Sequence, residues 1–134
     1  MRIDFRPLPG PAGDVLRPLV DVAVGGLEDA SLACLLDTGS LHNRFAMWVA
    51  REAGIDLTGV EPLSVGVGGR PVIARTVAVS LTLGDYRWDA QVAFCEPWPW
   101  DFQLLGQEGF LRYFRVVIEA AEHRLEITPN ADRG

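Results

Sequence analysis

Alternation with a period of two is the dominant pattern along this chain. Val77, Val79, Leu81 and Leu83 alternate with Ala78, Ser80 and Thr82, as in a strand with one buried face. Gly84-Asp85 supplies a turn, and residues 86–94 return as the partner strand. Residues 16–24 alternate in the same way and are rich in β-branched side chains. Gly25-Gly26 followed by Leu27-Glu28-Asp29 makes a second turn, and residues 30–36 come back as the other arm of a hairpin. Residues 61–73 predict a third hairpin, with glycine at positions 66, 68 and 69.

The pattern changes over 41–54, where Phe45, Trp48, Val49 and Ala53 recur at helical spacing and Gly54 stands as a stop. Phe110, Leu111, Tyr113 and Phe114 predict a shorter helix, and residues 116–118 and 124–127 a closing hairpin. Pro97 and Pro99 keep the aromatic-rich stretch 96–102 out of a central strand. It reads as a loop that caps the core or walls a binding site. Residues 1–14 hold Pro7, Pro9, Gly10, Pro11 and Gly13, so they read as a flexible arm with a short strand at 2–6. Residues 129–134 read as a polar tail.

A length of 134 residues predicts one domain, 1–134, large enough for a real core. The net charge is −6, and the positive charges are all arginines scattered along the chain. Nucleic acid is thereby excluded as the main partner, since it requires a concentrated basic face. No apolar run reaches the length of a transmembrane helix, and the first residues lack the apolar core of a signal peptide. No membrane partner is expected. Cys34 and Cys95 do not make a disulfide framework; they read as free thiols of a cytoplasmic protein.

Chemistry enters at one place. The apolar run 32–36 ends abruptly in Asp37, Thr38, Gly39 and Ser40. A strand that stops this way delivers a carboxylate out of a core into a tight loop. Thr38 and Ser40 can donate to it or tie the loop down, and Gly39 leaves the backbone N–H groups uncovered. The plain alternative is an ordinary Asp-Thr-Gly turn. His42 reads as a loop histidine, because no nucleophile or partner accompanies it. The glycine-rich loop 65–70 lacks the following helix and the lysine of a phosphate loop. It reads as a mobile cover over a bound chain.

Leu35-Leu36-Asp37-Thr38-Gly39-Ser40 resembles the active-site motif of aspartic proteases. Leu104-Leu105-Gly106 resembles the element that packs under that loop, and Val65-Gly66-Val67-Gly68-Gly69-Arg70 lies where the family carries its flap. Their order and the chain length resemble the single-domain retropepsin-like proteases, over roughly residues 15–128. The resemblance implies a mainly β fold: a closed acid-protease-like β-barrel, with a helix after the Asp-Thr-Gly loop and a short C-terminal helix. It implies an aspartic endopeptidase acting on a peptide or protein substrate without metal or cofactor.

In such an enzyme two neighbouring carboxylates share a proton, so that one serves as base and the other as acid. Here the motif occurs once, so the second carboxylate must come from a symmetry mate, and a homodimer is expected. By analogy, Thr38 would brace the two loops, Ser40 would bond to the outer oxygen of Asp37, and Gly39 would allow close approach. Retropepsins usually place arginine and then Asp or Asn after Leu-Leu-Gly, whereas Gln107, Glu108 and Gly109 stand here. Gln107 cannot form that arginine's ion pairs. The alternatives are an inactive dimerisation or peptide-binding module of the same fold, and a β-barrel in which Asp37 is merely a turn residue. Apolar side chains beside the cleaved bond are expected.

Overall fold

The computed structural model describes residues 1–8 and 11–130. Its strands in chain order are β1 (Arg2–Asp4), β2 (Arg6–Leu8), β3 (Val15–Arg17), β4 (Leu19–Val24), β5 (Leu27–Leu36) and β6 (Asn43–Ala46). After helix α1 (Met47–Glu52) come β7 (Leu63–Val67), β8 (Arg70–Leu83), β9 (Tyr86–Glu96) and β10 (Gln103–Leu105). A π-helical turn (Gln107–Leu111) precedes β11 (Phe114–Glu119) and β12 (Arg124–Pro129).

Hydrogen-bonded neighbours run β4-β5-β10-β6-β9-β8, and β4 pairs again with β8 through Ala23↔Thr82 and Val24↔Leu81. Six strands therefore close into a barrel, which removes the exposed edges a flat sheet would carry. Alternation selects what goes inside: Val20, Val22 and Val24 from β4, Leu32, Cys34 and Leu36 from β5, and Leu81 and Leu83 from β8 are all buried. Phe45 and Phe94 meet edge to face at 6.3 Å in the interior. Trp88, Phe110 and Phe114 form a second aromatic group with centroids 4.6 to 5.7 Å apart. Such pairs add roughly 0.5–1.5 kcal/mol each beyond their area.

The predicted hairpins are present, and the differences lie at their ends. Residues 43–46, predicted as the start of a helix, form β6 between β10 and β9. Four residues are too few to display a period, and pairing on both sides overrides helical propensity; α1 starts only at Met47. Residues 70–83 make one strand of 14 residues, not two, whose first part pairs with β7 and whose remainder lies in the barrel. The short C-terminal helix is the π-helical turn, which begins at Gln107, before the apolar residues that predicted it.

The N-terminal segment holds two strands rather than one. β1 pairs with β12, and β2 pairs with β3. The Met1 ammonium donates to the Ile127 carbonyl at 2.8 Å, so the chain ties its own two ends together. Of the predicted polar tail, Pro129 ends β12 and the Asn130 N–H donates to the Tyr113 carbonyl; residues 131–134 lie outside the described residues. Among the described residues, no helix is long and apolar enough to cross a membrane.

Candidate active site

β5 carries the chain out of the core and stops at Leu36, where Asp37 emerges half-buried. β10 runs parallel beside it, with Leu104↔Leu35 and Leu105↔Leu36 in register. Two parallel strands ending level place Asp37 and Gly106 side by side. The Asp37 N–H donates to the Leu105 carbonyl at 2.9 Å, and the Gln107 and Glu108 N–H groups donate to Ser40 and Leu41. The Asp37 loop is thus stitched along its length to the chain that follows Leu104-Leu105-Gly106.

Gly106 is needed for this contact, because a Cβ there would lie 2.5 Å from the His42 carbonyl and 2.6 Å from that of Ser40. Asn43, fully buried, locks the same junction from below. Its Oδ1 accepts from the Gly106 N–H and its Nδ2 donates to the Gly109 carbonyl, both at 3.0 Å. Buried Gln103 accepts from the Ala46 N–H at 2.7 Å, fixing β10 to the end of β6.

Around the carboxylate, the Gly39 N–H donates to Asp37 Oδ1 at 3.0 Å. Ser40 is placed differently from the family analogy: its hydroxyl donates to the His42 carbonyl at 2.7 Å, not to Asp37. A hydroxyl has a single proton, and Ser40 spends it tightening the loop. Gln107 reaches the same loop by a neutral bond. Its Nε2 donates to the Thr38 carbonyl at 2.7 Å. Thr38 itself is exposed at the loop tip, and His42 contributes its backbone carbonyl.

The hairpin of β7 and β8 reaches over this loop. Between them lies a cleft of about 300 Å³ lined by Asp37, Gly39, Ser40, Leu41, Arg44, Gly66, Val67, Gly68 and Leu104. Of the predicted flap residues, Gly66, Val67 and Gly68 face the cleft, while Val65, Gly69 and Arg70 are outside its lining. Leu104 lines it and Leu105 lies in the core. Gly68 takes a left-handed φ of +57° and rests on Trp100, so close that a Cβ would stand 2.8 Å from the indole ring. Trp100 stacks on Phe102 and both line an apolar hollow of about 400 Å³ with Leu35 and Val15. The aromatic loop is therefore a wall beside the cleft as well as a cap on the apolar cluster beneath it.

Leu41 and Arg44 were not foreseen as lining residues. A strand reading of 43–46 would have found Arg44, since it alternates with the buried Asn43 and Phe45. The two cysteines are buried and free, and burial raises both thiol pKa values, so neither offers a thiolate near neutral pH.

The sequence matches the aspartyl protease family model over residues 20–108. The fold resembles the crystal structure of a retropepsin-like aspartic protease from Rickettsia conorii, with a TM-score of 0.58 and 17% identity. That match covers 93% of this chain and 88% of the other, and it speaks to the fold alone. No curated protein matches the sequence.

Proposed function

Because the chain belongs to the aspartyl protease family, we propose that it is an aspartic endopeptidase working as a homodimer, with Asp37 and its symmetry mate as the catalytic pair. The observation that carries this reading is the cleft itself: a carboxylate, oriented by a backbone N–H, faces a peptide-sized groove under a glycine-tipped hairpin. Among the described residues, the lining of that groove contains one carboxylate, so a second must come from another chain.

With two carboxylates sharing one proton, the ionised one takes a proton from water as the water oxygen attacks the scissile carbonyl carbon. The protonated one gives its proton to the carbonyl oxygen. Collapse of the resulting diol breaks the C–N bond, the leaving amine takes up a proton, and the shared proton is restored. Gly66, Val67 and Gly68 would cover the substrate backbone and exclude water.

The test compares the protein with its Asp37→Asn variant on a diverse peptide library between about pH 4 and about pH 7, with products read by mass spectrometry. Cleavage by the wild type and at least a thousandfold less by the variant is expected. Equal cleavage by both, or none by either, defeats the peptidase reading. Retention of peptides without cleavage would favour the binding module.

A further inference from the structure

Arg44 shares the cleft lining with Asp37 but forms no ion pair with it among the described residues. Arg44 lies on β6 with Leu104 and Ala93 as its register partners, both buried and apolar. Its neighbours Asn43 and Phe45 face the core, so the Arg44 side chain rises on the opposite face, toward the floor under the flap. Its guanidinium lies beside the buried Cys95 thiol. The guanidinium leans on that thiol as a weak hydrogen-bond partner. Among the described residues its Nη1 is buried without a partner of its own, the half-buried side chain reaches the cleft, and Arg44 forms no ion pair. Arg2, Arg6, Arg51, Arg112 and Arg124 each hold a carboxylate at the surface.

Leaving a charged donor desolvated and unpaired is unfavourable by more than most buried polar groups. A carboxylate entering the cleft would pair with the guanidinium from the side that lines it, through a short, charge-assisted bond. The geometry points to Arg44 as a specificity determinant: it selects a substrate carboxylate close to the scissile bond, from an Asp or Glu side chain or a chain terminus. This rests on the peptidase reading for the word substrate, while the carboxylate preference stands on Arg44. The net charge of −6 does not oppose it at contact, because charges beyond about 8 Å are largely screened at physiological salt. The apolar expectation made from sequence stays with the hollow by Trp100, and one subsite departs from it.

The experiment uses two peptide libraries, one containing Asp and Glu and the other Asn and Gln in their place, each with free and amidated C-termini. Cleavage by the wild type and Arg44→Met is followed by mass spectrometry. In parallel, retention of the same libraries is measured on immobilised Asp37→Asn protein with and without Arg44→Met. The wild type should favour acidic over amide peptides by about ten- to a hundredfold, and Arg44→Met should lose that ratio in both readouts. Arg44→Met should also melt no lower than the wild type, since it removes a charge with no ion pair and keeps the apolar stem.

Preference carried by amidated peptides assigns a side chain; preference confined to free acids assigns a terminus. Cleavage without acidic preference, or a preference that survives Arg44→Met, overturns the inference and leaves the peptidase standing. Arg44-dependent retention without cleavage sustains the inference and removes the peptidase.

Discussion

Gln107 shows how a side chain can keep a position's purpose while changing its chemistry. Its amide donates to the Thr38 carbonyl, holding the turn that presents Asp37. The bond is exposed, so it adds little to stability, but the loop it steadies presents the proposed catalytic carboxylate. Gln107→Ala should lower the melting temperature by less than about 4 °C while reducing kcat roughly tenfold through loss of alignment. Gln107→Glu should be worse than Ala, because it turns an acceptor toward the Thr38 carbonyl. An unchanged kcat in both variants would show that the loop needs no strut. Much of this site was legible in the sequence: Asp37, Gly39 and the Leu104-Leu105-Gly106 element are contiguous motifs whose spacing is visible along the chain. Asn43, Gln103, Gln107 and Arg44 were not, because each acts through a partner or a face fixed only by folding.

Trp100 makes the β7–β8 hairpin more than a loose loop. Gly68 and Gly69 both take left-handed φ, and Gly68 lies directly on the indole, which itself packs edge to face on Trp98 at 5.2 Å. This contact holds the tip beside the cleft. In Trp100→Ala, amide exchange at residues 67–70 should quicken at least tenfold and KM should rise, while Trp100→Phe should keep most of the protection. Exchange unaltered by Trp100→Ala would mean that pairing with β8 alone sets the tip. The β-hairpins were readable from sequence because alternation persists over many residues. β6 was misassigned because four residues carry no period, and the strands of residues 1–14 were hidden by proline and glycine. Those strands are held by β12 and β3, which local sequence does not reveal.

The proposed dimer makes its own demands on the surface of the molecule. The cleft holds one carboxylate, Thr38 and Gly39 are exposed at the loop tip, and Leu41 beside them leaves half its surface in solvent. β11 forms an outer edge of the sheet β1-β12-β11, with Val117 and Ile118 exposed on it. Unpaired strand edges with apolar side chains invite pairing with another chain. A stable dimer would cover roughly 800 Å² per chain, and the loop tip and this edge are two surfaces it could cover. Sedimentation should therefore find a dimer at micromolar concentration. Mixing sharpens the test, because a heterodimer with Asp37→Asn holds a single ionisable carboxylate. If chains exchange freely, an equimolar mixture leaves about half of the wild-type chains in wild-type dimers, so activity per wild-type chain should fall about twofold. A large excess of the variant should drive it toward zero. Activity that ignores the variant, with chain exchange verified by sedimentation of labelled protein, would mean that a single Asp37 suffices and that the dimer is not the catalytic unit.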